Sequence, residues 1–147
     1  MASDSNFGAG KPAILVVQQN RFLREMVCDW LRTEGYASHA VGDERGMIEA
    51  LQQRRFDLAL LDMDVTRGEG ISLLRSVESK LSGVPLILLT GAVSYGDVVA
   101  RVSADTPCVS VDKPYSFFAL GLVLKAALAR SSDSSTPASG ARRARCM

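Results

Sequence analysis

Five short apolar runs punctuate the chain, and between them apolar positions recur three and four residues apart. The strongest runs are residues 13–17, 56–61 and 84–89, with weaker ones at 36–41 and 107–111. They are rich in branched side chains and do not alternate with polar residues, which predicts strands buried on both faces of a parallel sheet. After the first run, Phe22, Leu23, Met26, Val27, Trp30 and Leu31 fall at helical spacing, with Gly35 where a C-cap belongs. Asp43 is placed to cap a second helix carrying Met47, Ile48 and Leu51, and Ile71, Leu74, Val77 and Leu81 form the stripe of a third. A fourth is expected over 95–103, and a fifth from a Ser116 cap to about Arg130.

Strict alternation of strand and helix predicts a parallel sheet with helices on both faces, a doubly wound α/β fold. Residues 1–12 are small and polar and are expected to be a flexible lead. The domain proper spans 13–130, and 131–147 form a Ser-rich, then Arg-containing, disordered tail. In such folds the working groups gather beyond the carboxyl ends of the strands.

Composition changes this picture little. The chain has 147 residues, 47% hydrophobic and 22% charged, room for one ordinary domain but not two. No run approaches the roughly 20 apolar residues of a membrane span, and the start lacks a secretory signal, so a cytoplasmic location is expected. The formal charge of +1 gives no electrostatic footprint for nucleic acid. Cys28, Cys108 and Cys146 have no metal-ligand spacing.

Candidate chemistry stands at the strand ends. The first run leads into Gln18-Gln19-Asn20, the third into Asp62-Met63-Asp64, the fourth into Thr90-Gly91 and the fifth into Asp112-Lys113-Pro114. Each alone reads as a cap, a turn former or a solvated charge. Together they bring a carboxylate, a hydroxyl and an ammonium to one sheet edge.

With these residues, the segment from Ala13 to about Arg130 resembles a receiver domain of two-component response regulators. The resemblance implies a flavodoxin-like, five-stranded parallel sheet in the order 2-1-3-4-5 with five helices. It implies Asp62 as phosphoacceptor, Gly70 after the active loop, Thr90 as switch hydroxyl, and Lys113 with Pro114 as the Lys-Pro pair. Asp62 would then attack phosphorus, Lys113 would pair with phosphoryl oxygens, and Thr90 would move to hydrogen-bond one of them. The implied partner is a sensor histidine kinase or phosphotransfer protein, and the implied cofactor is Mg²⁺.

Gln18 and Gln19 depart from that pattern, because they occupy the positions of the acidic pair that holds Mg²⁺. A glutamine supplies an oxygen but no net charge. At an effective dielectric of about 20, each unit charge near 4 Å contributes about 4 kcal/mol to cation binding before desolvation. Weak Mg²⁺ binding and impaired phosphorylation are therefore expected, with Asp62 and Asp64 as the remaining acidic ligands. Asp64 reads either as a partial substitute for the missing pair or as a solvated loop acid. Ser110 replaces the aromatic switch frequent three residues before the lysine; Thr66 and Tyr115 are tolerated variations.

Two alternatives stand beside the phosphorylatable switch. One is a degenerate receiver that signals without phosphorylation. The other is an enzyme: Asp62-Met63-Asp64-Val65-Thr66 spells the DxDxT of haloacid dehalogenase-type phosphatases, which would use Asp62 and Asp64. That motif follows the first strand of the phosphatase core, whereas here a βαβα unit precedes it, so no turnover beyond slow self-phosphorylation and dephosphorylation is expected. Phe118 and Leu122 are surplus to one core-facing stripe, which suggests a protein partner or homodimer on the face between the fourth and fifth helices. Neither nucleic acid nor membrane is an expected partner. Seventeen residues follow Arg130, too few for an output domain, which suits a stand-alone receiver or one cut from a longer protein.

Overall fold

The computed structural model describes residues 3–5, 10–62, 84–90, 108–112 and 115–133. The helices expected around 71–81 and 95–103 lie outside the described residues. The described elements are β1 (Ser3–Ser5), β2 (Ala13–Gln18), α1 (Arg21–Thr33), β3 (Ala37–Val41), α2 (Glu44–Gln53), β4 (Leu58–Asp62), β5 (Leu86–Thr90), β6 (Cys108–Asp112) and α3 (Phe117–Asp133).

The sheet runs β1-β3-β2-β4-β5-β6, and β3, β2, β4, β5 and β6 are parallel in the expected 2-1-3-4-5 arrangement. A sixth strand adds to the five expected parallel ones, formed by residues of the segment expected to be a flexible lead. Ser3, Asp4 and Ser5 pair antiparallel with Ala40, His39 and Ser38, extending the sheet beyond β3. Ser-Asp-Ser has no β-branched or aromatic residue to announce a strand; what it offers is backbone N–H and C=O groups to a sheet edge that has the same groups to satisfy.

Residue parity sorts the core into two layers. Leu15, Val17, Ala59, Leu61, Leu86 and Leu88 pack with Met47 and Ala50 of α2. Ile14, Val16, Leu58, Leu60, Ile87 and Leu89 pack with Val27, Cys28 and Leu31 of α1 and Leu120, Leu124 and Ala127 of α3. A sheet buried on both sides explains why its strands are continuously apolar.

The caps stand where the sequence placed them. Asp43 Oδ1 accepts from the Gly46 N–H at 2.8 Å, and Ser116 Oγ accepts from the Ala119 N–H at 3.0 Å. Gly35 closes α1 with a φ of 91°, a left-handed conformation that a Cβ disfavours. α3 continues to Asp133, so the first three residues assigned to the tail are helical instead.

Candidate functional site at the strand ends

The sequence pattern ends the strands at their last apolar residue, but the ladders run one residue further. Gln18 closes β2, Asp62 closes β4, Thr90 closes β5 and Asp112 closes β6. Gln18 is the register partner of Asp62, and Thr90 that of Asp112. Two adjacent parallel strands therefore present Gln18 and Asp62 side by side, with Thr90 one position beyond Leu89, the partner of Asp62. The backbone alone fixes this juxtaposition, since neighbouring strands lie about 4.8 Å apart.

Gln18 and Asp62 are both buried, at 4% and 6% exposure. Gln18 Nε2 donates to Asp62 Oδ2. The other end of the same carboxamide is fixed as well, for Gln18 Oε1 accepts from the Asn20 N–H at 2.8 Å. That second bond decides which end of the amide faces which neighbour: the oxygen is taken up by a backbone donor, and the NH₂ is turned to the carboxylate.

Asn20 is in turn the N-cap of α1, its Oδ1 accepting from the Leu23 N–H at 3.0 Å. Arg24 reaches back from the second turn of α1, and its Nη1 donates to the Gln18 carbonyl at 2.9 Å and, at a longer 3.4 Å, to that of Gln19. Both carbonyls lie at the end of β2, where a guanidinium can satisfy them. Tyr115, just before α3, is half-buried; burial pushes its hydroxyl above the usual tyrosine range, and the Asp62 charge pushes the same way.

Asp64, Lys113, Gly70 and Pro114 lie outside the described residues. Gln18, Asp62 and Thr90 are brought to one edge, whereas the Gln19 side chain is exposed. Sequence reasoning named Asn20 at the strand end without a role, and missed Arg24 and the electrostatic link from Tyr115 to Asp62. A basic residue six positions after a strand end was the available signal for Arg24, because the second helical turn returns over that end.

The family to which these strand ends belong is decided by the chain's match to the model of the response regulator receiver domain, over residues 14–117. This chain is a member of that family. It is 34% identical over 122 residues to the probable transcriptional regulatory protein TcrX of Mycobacterium tuberculosis, covering 82% of this chain and 52% of TcrX. It is 32% identical over 120 residues to the DNA-binding response regulator MtrA of Mycobacterium leprae, with the same coverage on both sides. The chain thus spans about half the length of these curated relatives.

Among solved structures, a CheY-like receiver domain protein from Methanospirillum hungatei superposes with a TM-score of 0.73 at 22% identity, over 85% of this chain and 99% of that one. NtrX from Brucella abortus superposes with the same TM-score at 24% identity, over 85% of this chain and 29% of NtrX. These likenesses establish the flavodoxin-like receiver fold. The domain is a receiver module of two-component signalling, in a family of signalling proteins that are generally not enzymes.

Receiver domains typically bind Mg²⁺, and the described residues of this site do not suit it. Magnesium needs hard oxygen ligands in near-octahedral geometry. Here the strand-end neighbour of Asp62 turns N–H groups to the carboxylate and commits its oxygen to Asn20. Among the described residues no group of three His, Cys, Asp or Glu side chains is placed to hold a metal ion. Nor is any described helix long and apolar enough to cross a membrane.

Proposed function

We propose that Asp62 is the phosphoacceptor of a receiver whose metal support is impaired, and that its output is a protein contact. The observation that carries this reading is the position of Asp62: a buried carboxylate closing the central strand β4, at the carboxyl edge where a doubly wound sheet exposes its working groups. Transfer would break the donor's bond to phosphorus, P–N in a phosphohistidine or P–O in acetyl phosphate, join phosphorus to an Asp62 carboxylate oxygen and release the imidazole or acetate as leaving group. Thr90 and Lys113 are the groups assigned to the phosphoryl oxygens, with Lys113 opposing the added charge. A sensor histidine kinase or phosphotransfer protein is the donor this chemistry calls for. Phe118 and Leu122, exposed on α3 at 78% and 55%, supply apolar area for a protein contact. DNA binding, named for MtrA, is not assigned to this domain.

The test is the intact mass of the protein after incubation with acetyl phosphate and Mg²⁺. A slowly formed adduct of one phosphoryl group, lost in Asp62→Asn, is expected. Asp62 fails as the acceptor if the adduct persists in Asp62→Asn. The absence of any adduct at millimolar Mg²⁺ selects the second reading, a degenerate receiver that signals through binding alone. The uncharged Gln18 as the strand-end neighbour of Asp62, where an acid would support Mg²⁺, favours that reading.

A further inference from the structure

The positions flanking Asp62 carry more than the loss of two negative charges. A glutamine that had merely replaced an acid would be free to present its oxygen to a cation. Gln18 is not free in this way. Its Oε1 is held by the Asn20 N–H at 2.8 Å, its carbonyl by Arg24 at 2.9 Å, and its residue is 4% exposed. Rotating the amide by half a turn would set Oε1 against Asp62 Oδ2, two acceptors facing each other. The same rotation would leave the Asn20 N–H facing the NH₂, two donors. The N–H toward Asp62 is therefore the stable orientation, and it places a partial positive charge against Asp62 Oδ2.

We propose that Gln18 is a positioning residue for Asp62: its carboxamide N–H stands in for the divalent cation and sets the geometry of the carboxylate without metal. This rests on Asp62 as the acceptor for its functional meaning, but a metal titration tests it whether or not phosphoryl transfer occurs. Gln18 orients one oxygen, Oδ2, and joins it through Asn20 to the N-cap of α1. A hydrogen bond to a charged acceptor is stronger than a neutral one and directional, so it restricts carboxylate rotation as a bound cation does. Unlike Mg²⁺, it brings no full charge to offset that of an incoming phosphoryl group, which accounts for a positioned yet slow acceptor.

The proposal is tested on the full chain with Mg²⁺ and Mn²⁺ alone. In the wild type, ¹⁵N spectra are expected to keep the Gln18 side-chain amide signals at full intensity at stoichiometric Mn²⁺, and the melting temperature is expected to ignore Mg²⁺. Gln18→Glu keeps the length and shape of the side chain but sets a second carboxylate beside Asp62. It is expected to melt lower without metal, to recover on adding Mg²⁺, and to bind Mg²⁺ at least about tenfold more tightly than wild type. Gln18→Met, which keeps the bulk without the donor, is expected to melt lower with no rescue by Mg²⁺. Broadening of the Gln18 amide by stoichiometric Mn²⁺ overturns the proposal, as does equal Mg²⁺ stabilisation of wild type and Gln18→Glu. If Gln18→Glu does not fold in either condition, the Mn²⁺ spectra of the wild type decide alone. A missing phosphoryl adduct, by contrast, sinks the acceptor reading and leaves the metal result standing.

Discussion

A carboxylate buried at the end of a strand must be compensated, and the groups around it decide what it can still do. At Asp62 the compensation includes a neutral amide, and the nearby Tyr115 feels the carboxylate in its own ionisation. Burial raises the Tyr115 hydroxyl first and the Asp62 charge adds to it; burial likewise raises Tyr36, with Glu34 adding. The folded chain therefore holds these phenolic protons more tightly than the unfolded chain, whose tyrosines titrate near their ordinary value of 10.0. Their contribution to stability is complete below that value and is lost as pH rises through the higher folded values. Melting temperatures measured from pH 7 to 11 are expected to hold and then fall beyond about pH 10, and Tyr115→Phe is expected to shallow the fall. An identical alkaline limb in Tyr115→Phe would show that its hydroxyl is not held this way.

At the scale of single elements, α1 shows where sequence pattern succeeds and where it overreaches. Its span and its cap region were legible, because Gly35 and the helical spacing of the apolar residues mark them locally. Its buried face was legible only in part: Val27, Cys28 and Leu31 pack on the sheet, while Phe22, Leu23 and Met26 are exposed at 81%, 40% and 47%. Trp30 takes a third role, stacking on Phe117 of α3 with ring centroids 4.7 Å apart. Periodicity measures the width of an apolar stripe, not which part of it finds a neighbour. The N-cap joins this helix to the site, since Asn20 serves Leu23 with its side chain and Gln18 with its N–H. Asn20→Ala removes the side-chain acceptor and keeps the N–H, so a loss of about 1 kcal/mol is expected in urea unfolding. A loss of that size with an unchanged Gln18 amide signal would separate the cap from the carboxylate contact, whereas no loss would deny the cap its role.

For the whole molecule, the order of the parallel strands followed from the receiver resemblance, and the edge at which Gln18, Asp62 and Thr90 meet followed from the alternation of strand and helix. The orientation of the Gln18 amide did not, because it depends on Asn20 and Arg24 across a turn. Nor did β1, whose Ser-Asp-Ser carries no apolar signal. Magnitudes define what β1 contributes. Each backbone hydrogen bond is worth about 1 kcal/mol net, and ordering each residue costs about 1–2 kcal/mol, so a three-residue strand is close to neutral for folding. Its effect lies elsewhere, since pairing Ser3–Ser5 with Ser38, His39 and Ala40 occupies the outer edge of β3. An uncovered edge is a template for pairing with another chain. A chain starting at Gly10 is therefore expected to melt within a few degrees of the full protein but to associate at lower concentration, read by sedimentation velocity over a concentration series. A large drop in melting temperature would mean that β1 is part of the stabilising core. Unchanged association would mean that the β3 edge is protected by something other than these three residues.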